Sequence, residues 1–458
     1  MNSQTNKGKS CFVYKDNKFR EYYRKKNGNV CFRCTVKSCK ARIETKDVIV
    51  VAEYGDHDHS DKVSNAAAVA LRVSCKRTAA EDISQRPSKI IRTALQSAVV
   101  TSADDQVTSR DVVNCRAAMY RERRKQYGTL PKSAFETIHI LREIAISTHK
   151  KEDFLMFCDQ TVCGEMAIFT TSSNLRVLCE CDVLLMDGTF KSCPRYFAQL
   201  YTVFGYANDT YLPLVYALLS NKDQLTYEFL FSRIIDQCNS VHLILSPRTV
   251  ITDFEKAAMN AVSTIFPNAQ RRGCRFHLGQ SWWRRIQSLG MSEDYKDKNS
   301  AISKWLVLFF GLSLLPSDEV GTAFANEIMS TIPADDRCRK FADYIVDHYI
   351  DSECDFAPDL WASSPQQCPT TTNAAESFHS HLNADIKTPH PNIYVFVQSL
   401  VRQQASTYIL TGSLAFTRAP SRTRSQKAAQ LLQFFTDYRR GALDQLGYIQ
   451  RVGYRFAP

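Results

Sequence analysis

Three acidic residues in this sequence stand where a carboxylate needs an explanation. Asp187 closes the apolar run in DVLLMDGTF, Asp253 closes another in TVITDFEKA, and Glu376 lies at the head of a helical stretch in TTNAAESFHS. A hydrophobic strand that ends in a carboxylate delivers the charge to a sheet edge, where a cation or solvent has to stabilise it. Oxygen-only ligands of this kind favour Mg2+ or Mn2+. A pair of such ions activates an attacking hydroxyl and stabilises the leaving oxygen in phosphodiester cleavage. Each acid taken alone also has a plain structural reading. Asp187 with Gly188 can form a tight turn, Asp253 can cap a helix starting at Phe254, and Glu376 follows Asn373 at nearly the spacing of a capping box.

A second constellation sits near the N terminus. Cys34 and Cys39, in CFRCTVKSCKAR, are followed by His57 and His59 in GDHDHS. Two thiolates and two imidazoles make a closed tetrahedral set for Zn2+. A His-x-His pair points to opposite faces of a helix but can be presented from a turn, so the spacing predicts a β-type zinc module. The alternative is a pair of exposed histidines beside two buried thiols, and Cys11 and Cys31 are further thiols in the same stretch. Cys274 and His277 form a Cys-x-x-His pair with no second pair close by, which favours a structural or DNA-positioning role over metal ligation. Trp282 and Trp283, followed by Arg284 and Arg285, are candidates for stacking on a strand end, with burial in a core as the competing reading. His379, one helical turn past Glu376, can face the same site or simply pack on its neighbours.

The elements that must position these residues fall in a definite order. Residues 11–59 alternate short β-like pieces with basic turns, a module small enough to need a metal or disulfide staple. Residues 60–105 are rich in Ala, Ser, Thr, Lys and Arg and read as a flexible linker, followed by the basic run Arg121 to Lys125. From about residue 135 the chain becomes apolar. Strands are expected over 182–190, 197–207 and 211–220, a helix over 227–241, a strand over 249–253, a helix over 255–266 and a strand over 268–276. Helices are expected over 278–350, near 376, and through 392–407 and 423–440.

Charge and cysteine content narrow the function classes. Residues 1–150 hold 29 Lys/Arg against 16 Asp/Glu, whereas residues 151–458 hold 29 against 31, so the net +11 resides in the first third, as suits a polyanionic partner. Met1 to Ser10 is polar and basic with no apolar stretch behind it, so the sixteen cysteines are expected in a reducing compartment rather than in disulfides. The longest apolar run, Trp305 to Leu315, is too short for a membrane span and reads as a buried helix.

Taken together, four blocks resemble, in order and approximate spacing, the transposase domain of Mutator-like elements: DGTFKSCPRYFAQLYTVFGY, VITDFEKAAMNAV, CRFHLGQSWWRRIQSLGM and TTNAAESFHSHLNADIKTPHPNIYVFVQSLVRQQ. The resemblance runs over about 135–440. It implies an α/β fold, an RNase H-like mixed sheet with a helical insertion at about 278–365, in which Asp187, Asp253 and Glu376 hold Mg2+ or Mn2+. Cys274 and His277 match a pair that follows the second Asp in that family. Within a module at 1–60, about residues 8–60 resemble the FLYWCH zinc-finger family through the aromatic strands, the Phe32-Arg33-Cys34 start, the Cys39-Lys40-Ala41-Arg42 step and the closing His-x-His, with Phe32 where that family usually has Trp.

These resemblances imply zinc on Cys34, Cys39, His57 and His59, and phosphate contacts from Arg33, Lys37, Lys40 and Arg42. They imply a nuclear DNA transposase that binds terminal inverted repeats and target DNA as a homo-oligomer, with no membrane association, or a domesticated descendant that binds DNA without cutting it. Residues 61–134 are then linker and basic helical segment, and 441–458 a C-terminal tail.

Overall fold

The computed structural model describes residues 2–4, 10–15, 17–36, 38–46, 49–57, 59, 66–98, 107–365, 373–413 and 422–456. The chain divides into two compact units, Met1–Thr129 and Leu130–Pro458. Among the described residues, no helix is long and apolar enough to cross a membrane.

The first unit opens with an antiparallel meander of β1 (Asn2–Gln4), β2 (Ser10–Tyr14), β3 (Asn17–Arg24), β4 (Val30–Cys34), β5 (Arg42–Lys46) and β6 (Ile49–Tyr54), paired in chain order. Period-two alternation sends Phe12, Phe19, Phe32, Cys34 and Ile43 into one small core with Cys39 and Ala41.

Where the sequence suggests a flexible linker, over 60–105, the helices α1 (Ala66–Glu81) and α2 (Pro87–Ala98) stand, and α3 (Ser109–Tyr127) follows in the expected basic helical segment. Leu71, Cys75 and Ala79, one turn apart on α1, pack with Ile90 and Ile91 of α2 and Cys115 and Met119 of α3. The stripe is made partly of small residues, which is why the composition resembles a linker. A capping box between Thr108 and Asp111 starts α3. Near its other end the half-buried Arg123 donates to the carbonyls of Ala79, Asp82 and Gln85, satisfying acceptors at the end of α1 and in the following turn.

The second unit is built on a mixed sheet. After α4 (Ala134–Glu143) come β7 (Leu155–Thr161), β8 (Gly164–Phe169), α5 (Ser172–Cys179), β9 (Val183–Thr189), β10 (Gln199–Ala207), β11 (Thr210–Leu219), α6 (Gln224–Ser240), β12 (Thr249–Thr252), α7 (Lys256–Ile265) and β13 (Gln270–Gly273). Their spatial order is β13-β12-β9-β10-β11-β8-β7, with β12 parallel to both β9 and β13 and every other pair antiparallel. The strands from β9 to β13 follow the order expected from the sequence; β7 and β8 extend the sheet beyond it. Because the central strands are buried on both faces, they read as continuous apolar runs rather than as alternating patterns. Leu184, Met186, Tyr201 and Val250 face α5, α6 and α7. Leu185, Phe204 and Ile251 face the opposite way.

That second face is covered by α14 (Asn373–Ile386) and α15 (Ile393–Gly412), which follow a helical segment comprising α8 (Arg275–Ser288), α9 (Ser292–Lys296), α10 (Ala301–Leu312), α11 (Val320–Ala323), α12 (Asp336–Ile345) and α13 (Pro358–Trp361). Ala375 and Phe378 of α14 enter the core with Leu185, Phe204 and Ile251, and Phe378 meets the Phe204 ring edge-on at 5.4 Å. A buried reciprocal amide pair, Asn174 with Gln404, ties α15 to α5.

The helical segment has a core of its own, around Trp282, Trp305, Phe309, Phe341, Tyr349 and Trp361. Residues of α16 (Arg422–Arg439) and α17 (Gln445–Phe456) complete it: Leu431, Phe435, Tyr448, Ile449 and Val452 are all buried there. The stretch 441–458, expected as a tail, therefore contains a core helix. Two glycines permit its close crossing with α10. A Cβ on Gly311 would stand 2.1 Å from the Ile449 carbonyl oxygen, and one on Gly453 would stand 2.3 Å from that of Val307. Since backbone cannot yield as a flexible side chain does, Gly311→Ala is expected to cost about 3 kcal/mol or more in denaturant unfolding. Gly321→Ala, at a position with no atom within 4 Å of the added carbon, should leave stability unchanged or slightly raised. Parent-like unfolding of Gly311→Ala contradicts this packing.

Candidate metal centre at the sheet edge

The register of β12 on β9 pairs Thr249 with Val183 and Ile251 with Leu185. Continued at the same offset, it brings Asp253 level with Asp187, both at the C-terminal ends of adjacent parallel strands. Alternation puts Asp187 on the face of Leu185, the face covered by α14; Asp253, the residue after β12, acts on the buried hydroxyls of Tyr201 and Tyr227 and is not among the residues that line the cavity beside Asp187. Gly188 stays within β9 rather than forming a turn, and the residue at the start of α7 is Glu255, not Asp253. Neither bland reading of the two aspartates describes their setting.

Asp187 is nearly inaccessible to solvent and held from two directions. His379 Nδ1 lies 3.0 Å from its Oδ2, and His277 Nε2 lies 3.9 Å from its Oδ1. The other nitrogen of His379 is 3.4 Å from the hydroxyl of Thr202, the residue paired with Asp187 across β10. A chain thus runs from sheet to helix and back: Thr202, His379, Asp187. It fixes α14 at the sheet edge and brings Glu376, one turn before His379, to the same cavity of about 530 Å³, lined also by Thr189, Lys191, Ser380 and Asn383.

Electrostatics at this edge are those of crowded acids short of cations. Burial, then the charges of Glu255 and Asp187, push the Asp253 carboxyl up to about 7, against a smaller opposing effect of Lys222. Its Oδ1 is buried without a hydrogen-bond partner. Burial and then Asp187 also push Glu376 up, while His379 opposes. Glu255 is itself accounted for, paired with Lys222 at 3.2 Å and accepting from the Tyr227 hydroxyl. Burial holds His277 below the usual histidine range despite Asp187, so it offers a neutral ring. An orphaned carboxylate oxygen, mutually repelling acids and an oxygen-rich rim fit a divalent cation. Across the described residues, no three acid ligands at this edge converge as tightly as the cysteine–histidine set described next.

The Cys-x-x-His pair is split by the fold. Cys274 is buried among Leu185, Ile251 and Ala375, while His277, a turn further on, faces Asp187. Trp282 is a core residue of the helical segment and Trp283 packs on Tyr295, so neither stands ready to stack on a strand end. Lys222, Thr202 and Glu255 were not apparent as site residues; no local spacing distinguishes them, and only the strand pairing brings them in.

In the first unit, Cys34, Cys39, His57 and His59 offer ligand atoms that all lie within 4.8 Å of one another. Individual separations are 3.2 Å for Cys34 Sγ to His59 Nε2, 3.4 Å for Cys39 Sγ to His57 Nδ1 and 3.1 Å between the two imidazoles. With Zn–S near 2.3 Å and Zn–N near 2.0 Å, a tetrahedron has edges of roughly 3.3–3.8 Å, so the set fits zinc with small adjustments. Cys11 and Cys31 fall outside it. Every described cysteine is a free thiol. On the sheet, Arg20, Arg33 and Arg42 pair in a row across β3, β4 and β5. Directly opposed like charges are unfavourable unless an anion lies over them. Arg33, Lys40 and Arg42 are exposed; Lys37 lies outside the described residues. Arg20 carries no local signal in the sequence, because its place in the row depends on register.

The raised Asp253 pKa carries a sign. Between the ordinary 3.8 and about 7, the folded metal-free protein keeps a proton that the unfolded chain has released. The resulting stability is complete at the acidic end of that window and is lost as pH rises through the folded value. In EDTA, the thermal midpoint of the parent should therefore fall relative to that of Asp253→Asn as pH rises across the window. Identical pH slopes for the two proteins contradict the burial described.

Comparison with known families bears on the same strands. Residues 183–281 match the model of the MULE transposase domain, a span holding β9 to β13, Asp187, Asp253, Cys274 and His277 and ending before Glu376. No curated protein matches the chain. The matched domain indicates a transposase-related function for this part of the protein.

Proposed function

We propose that this protein is a DNA transposase that binds element ends and carries out divalent-metal-dependent phosphodiester hydrolysis and strand transfer, with Asp187, Asp253 and Glu376 as the metal-holding carboxylates. The observation that carries the reading is the approach of Asp253, one residue past the end of β12, to Asp187 on the adjacent parallel strand β9, inside the span that matches the MULE transposase domain. The order β11-β10-β9-β12-β13 supports an RNase H-like sheet, and α8 to α13 supply a helical insertion ahead of the helix bearing Glu376.

Mg2+ or Mn2+ held there would supply activation of the attacking hydroxyl and stabilisation of the leaving oxygen. The remaining work falls to the chain. His379, braced by Thr202, holds the Asp187 carboxylate in one orientation. Lys191, on the cavity rim, offers a positive charge to the scissile phosphate. Water attacks phosphorus, the bond to the 3′ oxygen breaks, and that oxygen takes a proton to leave a free 3′-OH. The 3′-OH then attacks a phosphodiester of target DNA, displacing another 3′ oxygen. No covalent bond to the protein is needed at either step. In this reading the chain acts in the nucleus as a homo-oligomer pairing two DNA ends, and the N-terminal Cys2His2 set is a FLYWCH-type zinc module whose Arg33, Lys37, Lys40 and Arg42 meet phosphates.

The full chain incubated with duplexes carrying candidate terminal inverted repeats should nick them in Mg2+ and not in EDTA. Asp187→Asn, Asp253→Asn and Glu376→Gln should each reduce nicking to background while keeping duplex binding. Near-parent cutting by any one of them removes that residue from the set, and a mobility shift without nicking by the parent contradicts the catalytic reading.

For the N-terminal module, elemental analysis of purified protein should find about one zinc per chain, lost in Cys39→Ser. Parent protein free of zinc after purification without chelator overturns the zinc assignment.

A further inference from the structure

Outside both sites, the surface of α3 combines features that neither of them uses. The helix buries Cys115, Ala118 and Met119 against α1 and α2, and its outward face carries Arg110, Arg116, Arg121, Arg124 and Lys125, all exposed. None of these five cations forms an ion pair among the described residues. The two acids of α3 are already engaged: Asp111 in the capping box and Glu122 with Lys76 at 3.0 Å. Arg110 shares the field of the neighbouring Asp111 carboxylate; even so, an exposed helix with this many cations repels itself unless an anionic partner lies against it.

The residues between the cations indicate the kind of partner. Val113, Ala117, Tyr120 and Arg124 follow one another at helical spacing along the middle of the exposed face, with Arg110 and Arg121 on one side and Arg116 on the other. Val113 is 62% exposed and Tyr120 54%, so this central strip is not part of the core. At its midpoint stands Ala117, small enough for the backbone to approach a surface closely. Nineteen residues make a helix about 28 Å long. The major groove of duplex DNA is about 12 Å wide, admits one helix, and presents phosphates on both sides with methyl groups and base edges at its floor. Arginines on both flanks and a slim apolar-to-aromatic centre match that cross-section; the flat face of a protein partner would not call for cations on two opposite edges.

We propose that α3 is a DNA-binding helix that lies in the major groove, with Arg110, Arg116 and Arg121 on the bordering phosphates and with Ala117 and Arg124 of the central strip facing the groove floor. Its supporting fold is the α1–α2–α3 core, and Arg123, turned inward onto the carbonyls of Ala79, Asp82 and Gln85, sets the helix's angle rather than touching DNA. The inference rests on the reading that the chain works on DNA, and assigns a grip on the duplex separate from the zinc module and from the acidic sheet edge.

Fluorescence anisotropy with the full zinc-loaded chain, without added Mg2+ or Mn2+ so that no cutting intervenes, and a labelled random-sequence duplex tests it. Arg110→Ala/Arg116→Ala/Arg121→Ala should bind about tenfold or more weakly at moderate salt, with a dependence on log salt shallower by about 3. The matching Arg→Lys variant should stay within about threefold of the parent. Ala117→Trp, which preserves charge, should weaken binding as well, a result that bulk electrostatics does not produce. All substituted positions are exposed, and unchanged thermal melting checks that each variant folds. Parent-like affinity and salt slope in the triple alanine variant overturns the proposal while leaving the DNA reading intact. Preference of the parent for single-stranded RNA or an acidic protein surface over duplex, abolished by the same substitutions, overturns the choice of partner. Failure of the parent to bind any duplex overturns the DNA reading itself.

Discussion

Two carboxylates withdrawn from water at the ends of neighbouring parallel strands are the constraint from which the second unit's organisation follows. Parallel neighbours cannot be joined by a hairpin, so the chain must cross over through α6 before laying β12 beside β9. The crossover brings Asp253 close to Asp187, and burial there makes two negative charges unfavourable together. Helix α14 then has to return across the same face. Its docking is secured by Phe378 against Phe204 and by the buried contact of His379 with Asp187 and Thr202. Glu376 arrives at the site because that helix is pinned one turn away.

The helical segment solves a different problem. With Trp282, Trp305, Phe309, Phe341 and Trp361 it has too much apolar surface to remain an excursion from the sheet, and it closes a core of its own only when α16 and α17 return to it. The glycine crossings of α10 with α17 show how tight that closure is. The final helices of the described chain are thus structural partners of the segment that separates β13 from α14, although far from it in sequence.

Much of this was readable from sequence for a physical reason. Strands buried on both faces are unbroken apolar runs, and those of β9 to β12 end in residues that break the run, so both the elements and the acids that close them stand out. The Cys34, Cys39, His57 and His59 set was likewise legible, since ligand type and spacing survive without knowledge of the fold. Other features depend on pairing or packing and were not. Helix α1 hides behind small stripe residues, and α17 behind Gly447 and Gly453, which lower its intrinsic helix preference. Cys274 and His277 look like a pair in sequence, but one packs in a core and the other faces Asp187. The arginine row through Arg20 and the bracing of Asp187 by Thr202 exist only once strands are in register.

The central claim is that the sheet edge is built to hold a divalent cation between Asp187 and Asp253. Crystals of the full chain soaked in Mn2+, with anomalous diffraction recorded above the manganese absorption edge, test it most directly. The account predicts a peak contacted by carboxylate oxygens of both aspartates at about 2.2 Å. Manganese bound elsewhere, with Asp253 Oδ1 still buried and unligated, would contradict it.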